Sequence, residues 1–305
     1  PSTINYCVGL CFKVCLSVAI FFAAMSPLWL SGSPDEPSDS TSALPLVLAF
    51  IPQENPEKLL GDIAAVSTYL SAEMGVIVEG FVTQDQAAAV EALRNGDADI
   101  SFMGALPYVL ARNEIGAEVI LAEVYRGAPV YRGRIFVRRD SGIRSLEDLR
   151  GKTIAFADPL SESGYLYPLD ILAREGLMER GADPSTFFST VYFAGGYQQA
   201  IQAVAAGFVD AAGASQFAEL LLTPEQFAEV TWIAESEDIP SHAVIARNGL
   251  DPERVERFRV AMLRLNEPEH QHLLKHLYGP DGYIAVEHSS YTGVERMARL
   301  YGLLP

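Results

Sequence analysis

Hydrophobic positions along this chain recur in two periods that take turns, and the alternation predicts an α/β protein. "LPLVLAFIP" (44–52) is a short apolar run stopped by proline, the pattern of a buried parallel strand. Across "NPEKLLGDIAAVSTYLSAEMG" (55–75), Leu59, Leu60, Ile63, Val66 and Leu70 fall at helical spacing, and Gly75 supplies the stop. "VIVEGFV" reads as a strand, "QDQAAAVEALRNG" as a helix closed by Gly96, and "DISFMG", "EVILAEV", "RIFVRRD" and "TIAFAD" as further strands. "SLEDLRGK" (145–152) predicts a short capped helix, with Ser145 three residues before Asp148. The tail (251–304) predicts mainly helix, its first segment started by Asp251-Pro252.

One pattern repeats. "TQDQAAAVEALRNGDADISFMG" (83–104) lies over "AGGYQQAIQAVAAGFVDAAGAS" (194–215) at a constant offset of 111, so that Gly96 falls on Gly207 and Asp99 on Asp210. Each copy reads as polar loop, helix, glycine stop, aspartate and strand. Chance likeness of two βαβ units would give the same match. Two lobes of similar build would also give it, with Gln86 and Tyr197 at matching helix starts facing a shared cleft, since ligands of open α/β sheets bind beyond the carboxyl ends of the strands.

Composition narrows the picture. At 305 residues, 49% hydrophobic and 20% charged, the chain has ample core for one large or two medium domains. A formal net charge of −17 argues against a nucleic-acid partner, which needs a basic face, but leaves a small anion open. Cys7, Cys11 and Cys15 all precede residue 16, so the body has no disulfide, no cysteine nucleophile and no Cys-ligated metal. They do not sit in a convincing lipoprotein motif. Lys13 followed by the 17-residue run "VCLSVAIFFAAMSPLWL" predicts a signal peptide or an uncleaved N-terminal anchor over 1–33, and a Pro/Ser-rich linker over 34–45. Either places the body outside the cytoplasmic membrane.

The candidate chemistry centres on "DPLSESGYLYP" (158–168). Hydroxyls and backbone N–H groups at a helix start suit an anion. Ser161 or Ser163 would equally serve as an ordinary N-cap. Gly164 permits close backbone approach, and Tyr165 and Tyr167 either wall a pocket or pack.

Taken with "SGIRSLEDLRGKTIAFADPLSESGYLYP" and "FAGGYQQAIQAVAAGFVDAA", the chain resembles the periplasmic phosphate/phosphite/phosphonate-binding proteins of ABC transporters over most of residues 46–303. The resemblance implies an α/β, two-lobed periplasmic binding-protein fold, each lobe a mixed sheet flanked by helices. Lobe 1 would be 46–133 plus 241–305 and lobe 2 134–240. Crossovers would fall near Tyr131–Arg134 and Asp238–His242, and hinge closure would clamp a ligand in the cleft. The family's Ser-Thr-Ser-Gly turn appears here as Ser161, Glu162, Ser163 and Gly164. Tyr131 matches a family tyrosine before the crossover. A family tyrosine falls on Gln86, a histidine on Tyr197, and an acidic ligand residue on His242. Glu162 would repel a dianion if it faced the site; as a solvated helix-start acid it would not. His242 would restore positive charge in the cleft, or be a strand histidine satisfied by backbone.

The function expected is the extracytoplasmic solute-binding component of an ABC transporter, taking phosphate, phosphite or a phosphonate and passing it to a membrane permease. No cofactor is implied. A ligand-sensing ectodomain tethered to a membrane histidine kinase is the alternative. "GKT" (151–153) lacks the first glycine of a phosphate loop, Ser163 lacks a nucleophile elbow, and His272 with His276 lacks a third metal ligand. No arrangement supports an enzyme.

Overall fold

The computed structural model describes residues 44–53 and 55–305; the expected leader over 1–33 and most of the linker lie outside the described residues. Chain order begins β1 (Leu46–Phe50), α1 (Pro56–Met74), β2 (Val78–Val82), α2 (Gln86–Asn95), β3 (Ile100–Met103), α3 (Ala105–Ile115), β4 (Glu118–Val124) and β5 (Val130–Tyr131). It continues with β6 (Gly133–Arg138), β7 (Thr153–Phe156), α4 (Tyr167–Arg174), β8 (Thr190–Phe193), α5 (Tyr197–Ala205), β9 (Ala211–Ser215), α6 (Pro224–Glu229) and β10 (Val230–Glu235). It ends with β11 (Ile239–Pro240), β12 (Ala243–Ala246), α7 (Pro252–Leu263), β13 (Gly282–Ala285) and α8 (Thr292–Leu300).

Two mixed sheets result. The first has the order β13-β4-β12-β3-β1-β2 and the second β10-β6-β9-β7-β8. In each, the parallel strands come from βαβ units: β1 pairs with β2 and β3, and β7 with β8 and β9. Between the sheets in chain order, β5 and β11 pair antiparallel as a separate ribbon, Ile239 opposite Tyr131. Arg132 bonds both Glu235 and Asp238, tying the outgoing and returning segments together.

The α1 stripe buries Leu59, Ile63, Val66 and Leu70 against Leu48 and Phe50, while Leu60 stands one position off the stripe and is exposed. Phe50 stacks on Phe102 with ring centroids 4.5 Å apart. Each fully buried side chain of this kind contributes about 1.5–3 kcal/mol. In the second sheet Phe156 packs edge-on against Tyr165 and Phe188.

The 111-residue echo is structural. Gln86 opens α2 and Tyr197 opens α5. Asp99 accepts the N–H of Val47 at the start of β1 and returns its own N–H to the Val47 carbonyl. Asp210 does the same with Thr153 at the start of β7, and also accepts the Thr153 hydroxyl. Each aspartate thus pins the central parallel strand of its βαβ units, β1 or β7, to the strand after the echoed helix.

Two expectations change. The 145–152 segment keeps its reciprocal cap, with Ser145 N–H to Asp148 Oδ2 at 2.9 Å and Asp148 N–H to Ser145 Oγ at 3.4 Å. It forms only one 3-10 turn, because Gly151 turns left-handed and sends its N–H to Phe187. The helical tail holds β13, which adds to the sheet edge at β4. Replacing Asp99 or Asp210 by alanine orphans a backbone N–H and is expected to cost about 1–3 kcal/mol each, measured by urea unfolding.

Candidate functional site

The turn after β7 is tightly seated. Ser161 accepts the N–H of Gly164 at 3.0 Å and so caps the start of the next helical segment. Its carbonyl takes the N–H of both Tyr165 and Leu166, giving one wide helical turn over Glu162–Leu166 before α4 begins. Such wide turns occur often at functional sites. Two glycines make room for it: a Cβ on Gly133 of β6 would lie 2.7 Å from the Ser163 carbonyl oxygen, and one on Gly213 of β9 2.6 Å from that of Gly164. The strands therefore fix where the serines point.

They point to Tyr197. Its hydroxyl lies 2.9 Å from Ser163 Oγ and 3.4 Å from Ser161 Oγ. It also lies 3.4 Å from Nε2 of His242, which immediately precedes β12 in the other sheet. Gln53, in the loop after β1, donates to Nδ1 of His242 at 2.8 Å. With Nδ1 accepting, Nε2 carries the proton and donates toward Tyr197. The edge of Tyr131 meets the His242 ring at 5.5 Å, and its buried hydroxyl makes no hydrogen bond. Two sheets thus contribute to one connected set of donors.

Glu162 is the unexpected member. It is 0% exposed, not a solvated acid. Oε1 accepts the N–H of Leu106 in the first turn of α3, across from the other sheet. Oε2 is buried without a hydrogen bond. A Cβ on Gly104 would lie 2.7 Å from Glu162 Oε2 and 2.8 Å from Gln86 Oε1, so glycine admits both side chains here. Gln86 itself accepts the Gly104 N–H and donates its backbone N–H to Asp158, remaining outside the hydroxyl cluster. Gly164 contributes backbone only, and its N–H is already committed to Ser161.

Beside the cluster lies a cavity of about 250 Å³, lined among others by Gln53, Glu123, Tyr131, Tyr197, Phe217 and His242. Ser161, Glu162 and Ser163 do not line it. Glu123 is 1% exposed, with both oxygens unbonded and Oε2 3.7 Å from His242 Nδ1. Gln53 and Glu123 escaped sequence reading, though each left a signal. Gln53 lies just beyond the carboxyl end of a strand, and Glu123 is an acid inside the apolar run "EVILAEV".

The electrostatics also depart from expectation. Burial drives His242 down to about 4, so the imidazole is neutral at pH 7 and supplies no positive charge. Burial pushes Glu162 up to about 7 against the pull of the Leu106 N–H, and the Asp158 carboxylate adds to the rise. Burial pushes Glu123 up to about 8. Above about 4.5 the unfolded chain releases protons that these two native carboxyls keep, so stability falls as pH rises through 7 to 8. Thermal and urea unfolding from pH 5 to 8.5 should record that fall; Glu162→Gln should remove about 2–3 kcal/mol of it and Glu123→Gln about 4 kcal/mol.

A family model described as "ABC transporter, phosphonate, periplasmic substrate-binding protein" matches residues 48–291. The phosphate-import protein PhnD of Mycolicibacterium smegmatis is 35% identical over 189 residues, covering 59% of this chain and 59% of its own length. The phosphonates-binding periplasmic protein of Escherichia coli is 28% identical over 247 residues, covering 78% and 70%. Among solved structures, PhnD1 of Prochlorococcus marinus in complex with methylphosphonate superposes with a TM-score of 0.75 at 19% identity, over 85% of this chain and 99% of that one. A binding protein component of an ABC phosphonate transporter from Pseudomonas aeruginosa gives 0.76 at 23%, over 85% and 86%.

Proposed function

This chain belongs to the periplasmic substrate-binding proteins of phosphonate ABC transporters, and from that premise we propose that it captures a small phosphorus oxyanion between its two lobes and presents it to a membrane permease. The observation that carries the reading is the chain of hydroxyls from Ser161 and Ser163 through Tyr197 to His242, with the unbonded Tyr131 hydroxyl beside it. Hydroxyls rotate, so Ser163 and Tyr197 exchange their mutual bond for bonds to ligand oxygens without moving the backbone. Phosphate, phosphite and simple phosphonates are the ligand class. Tyr131, Ser161, Ser163 and Tyr197 are the donors, and His242 orients Tyr197. Gln86 and Gly164 shape the surroundings, while Glu162 faces the oxyanion.

We take lobe 1 as 46–133 plus 241–305 and lobe 2 as 134–240; the membership of the two sheets supports this split. The β5–β11 ribbon is then the hinge, and opening there is how ligand reaches serines that line no part of the cavity. Membership of the family places the body outside the cytoplasmic membrane, and no described helix is long and apolar enough to cross one. An N-terminal tether would hold it there. The comparisons give no support to the sensory alternative, and the family is one of binding proteins for transport rather than enzymes.

Calorimetry with phosphate, phosphite and methylphosphonate tests the reading. At least one is expected to bind, and Ser163→Ala and Tyr197→Phe should each weaken it by about tenfold to a hundredfold, the worth of one hydrogen bond to a charged group. Unchanged affinity in both variants, or no binding by the unaltered protein, rejects it.

A further inference from the structure

Glu162 stands inside the proposed oxyanion site, yet it brings a carboxylate where the ligand brings negative charge. Its neighbours do not offset that charge. Asp158 faces it from the preceding loop, Tyr131 from β5, Tyr197 from α5, Tyr167 from α4 and Tyr291 from the segment before α8. His242, bonded to Tyr197, is held neutral by burial. Among these groups no lysine or arginine stands. One carboxylate oxygen is fixed on the Leu106 N–H, and the other is buried with no hydrogen bond.

We propose that Glu162 makes this site read the protonation of its ligand: the unbonded oxygen shares a single proton with a ligand oxygen, so that oxyanion and carboxyl together carry one proton in the complex. The inference rests on the oxyanion reading above and adds to it a specificity-determining residue. Two anions at van der Waals distance in a dry site repel; one proton between them replaces repulsion with a charge-assisted hydrogen bond. The balance is simple. A dianion meeting ionised Glu162 takes one proton from solvent, while a hydrogen-phosphonate monoanion brings its own. A carboxyl that burial already holds near 7 suits this exchange at neutral pH. The preferred ligands are therefore oxyanions whose last ionisation lies near neutrality.

Calorimetry with methylphosphonate above its second ionisation, repeated in buffers of different ionisation enthalpy, counts protons taken up. The unaltered protein should take up about one proton per ligand and lose affinity about tenfold per pH unit. Glu162→Gln, which keeps the shape and offers a permanent donor, should take up none and bind with a flat pH profile. Glu123 titrates in the same range but is present in both proteins, so its contribution cancels. If Glu162→Gln fails to melt cooperatively, Glu162→Ala serves in its place with the same expectation. Binding by the unaltered protein without proton uptake, or with the same pH slope as the variant, overturns the inference and leaves the oxyanion reading standing. Absence of binding at every pH overturns both.

Discussion

A carboxylate with no exposed surface governs much of this molecule. Glu162 leaves a turn in one sheet's lobe and ends on the first turn of α3 in the other, so its burial requires both lobes at once. Positions far apart in sequence answer to it. Gly104 must lack a side chain, α3 must present the Leu106 N–H, and Gly133 and Gly213 must let the turn sink against β6 and β9. An isolated buried carboxylate is costly, and here the cost is reduced by a helix-end N–H and by a raised proton affinity. The result is a buried cluster of neutral donors beside one titratable acid.

The frame of the fold was legible in the sequence because its signals are local. β1, α1 and α2 announce themselves by period and by glycine stops, and the tertiary contacts agree with those preferences. The repeat at offset 111 was legible for a sharper reason: Asp99 and Asp210, each one residue before a strand, make the same side-chain bond to a backbone N–H at the base of each sheet. β13 was hidden because four residues without alternation gain strand geometry only from β4 beside them.

The site was legible in outline and misread in charge. The serines, Tyr131, Tyr197 and His242 do converge, as the turn and the echo imply. Glu162 looked like a helix-start acid in water, since nothing within several residues of it signals burial; that signal sits at Gly104 and Leu106. His242 was open to two readings, a source of positive charge or a strand histidine satisfied by backbone; packing against Tyr131 and Tyr197 keeps it neutral, and the side chains of Gln53 and Tyr197 are its partners. Proton affinity is set by surroundings assembled from distant segments, so residue type alone does not give the charge.

The paired aspartates hold each sheet from one end. Asp99 and Asp210 secure each sheet at the end opposite the loops that carry Gln53 and Ser161–Gly164. The bonds that register the strands therefore stand at one end of each sheet and the loops of the hydroxyl cluster at the other. Glu162 crosses that division: it belongs to a loop yet bonds the first turn of α3 beside the other sheet, so a change at this one position reaches both the cluster and the frame.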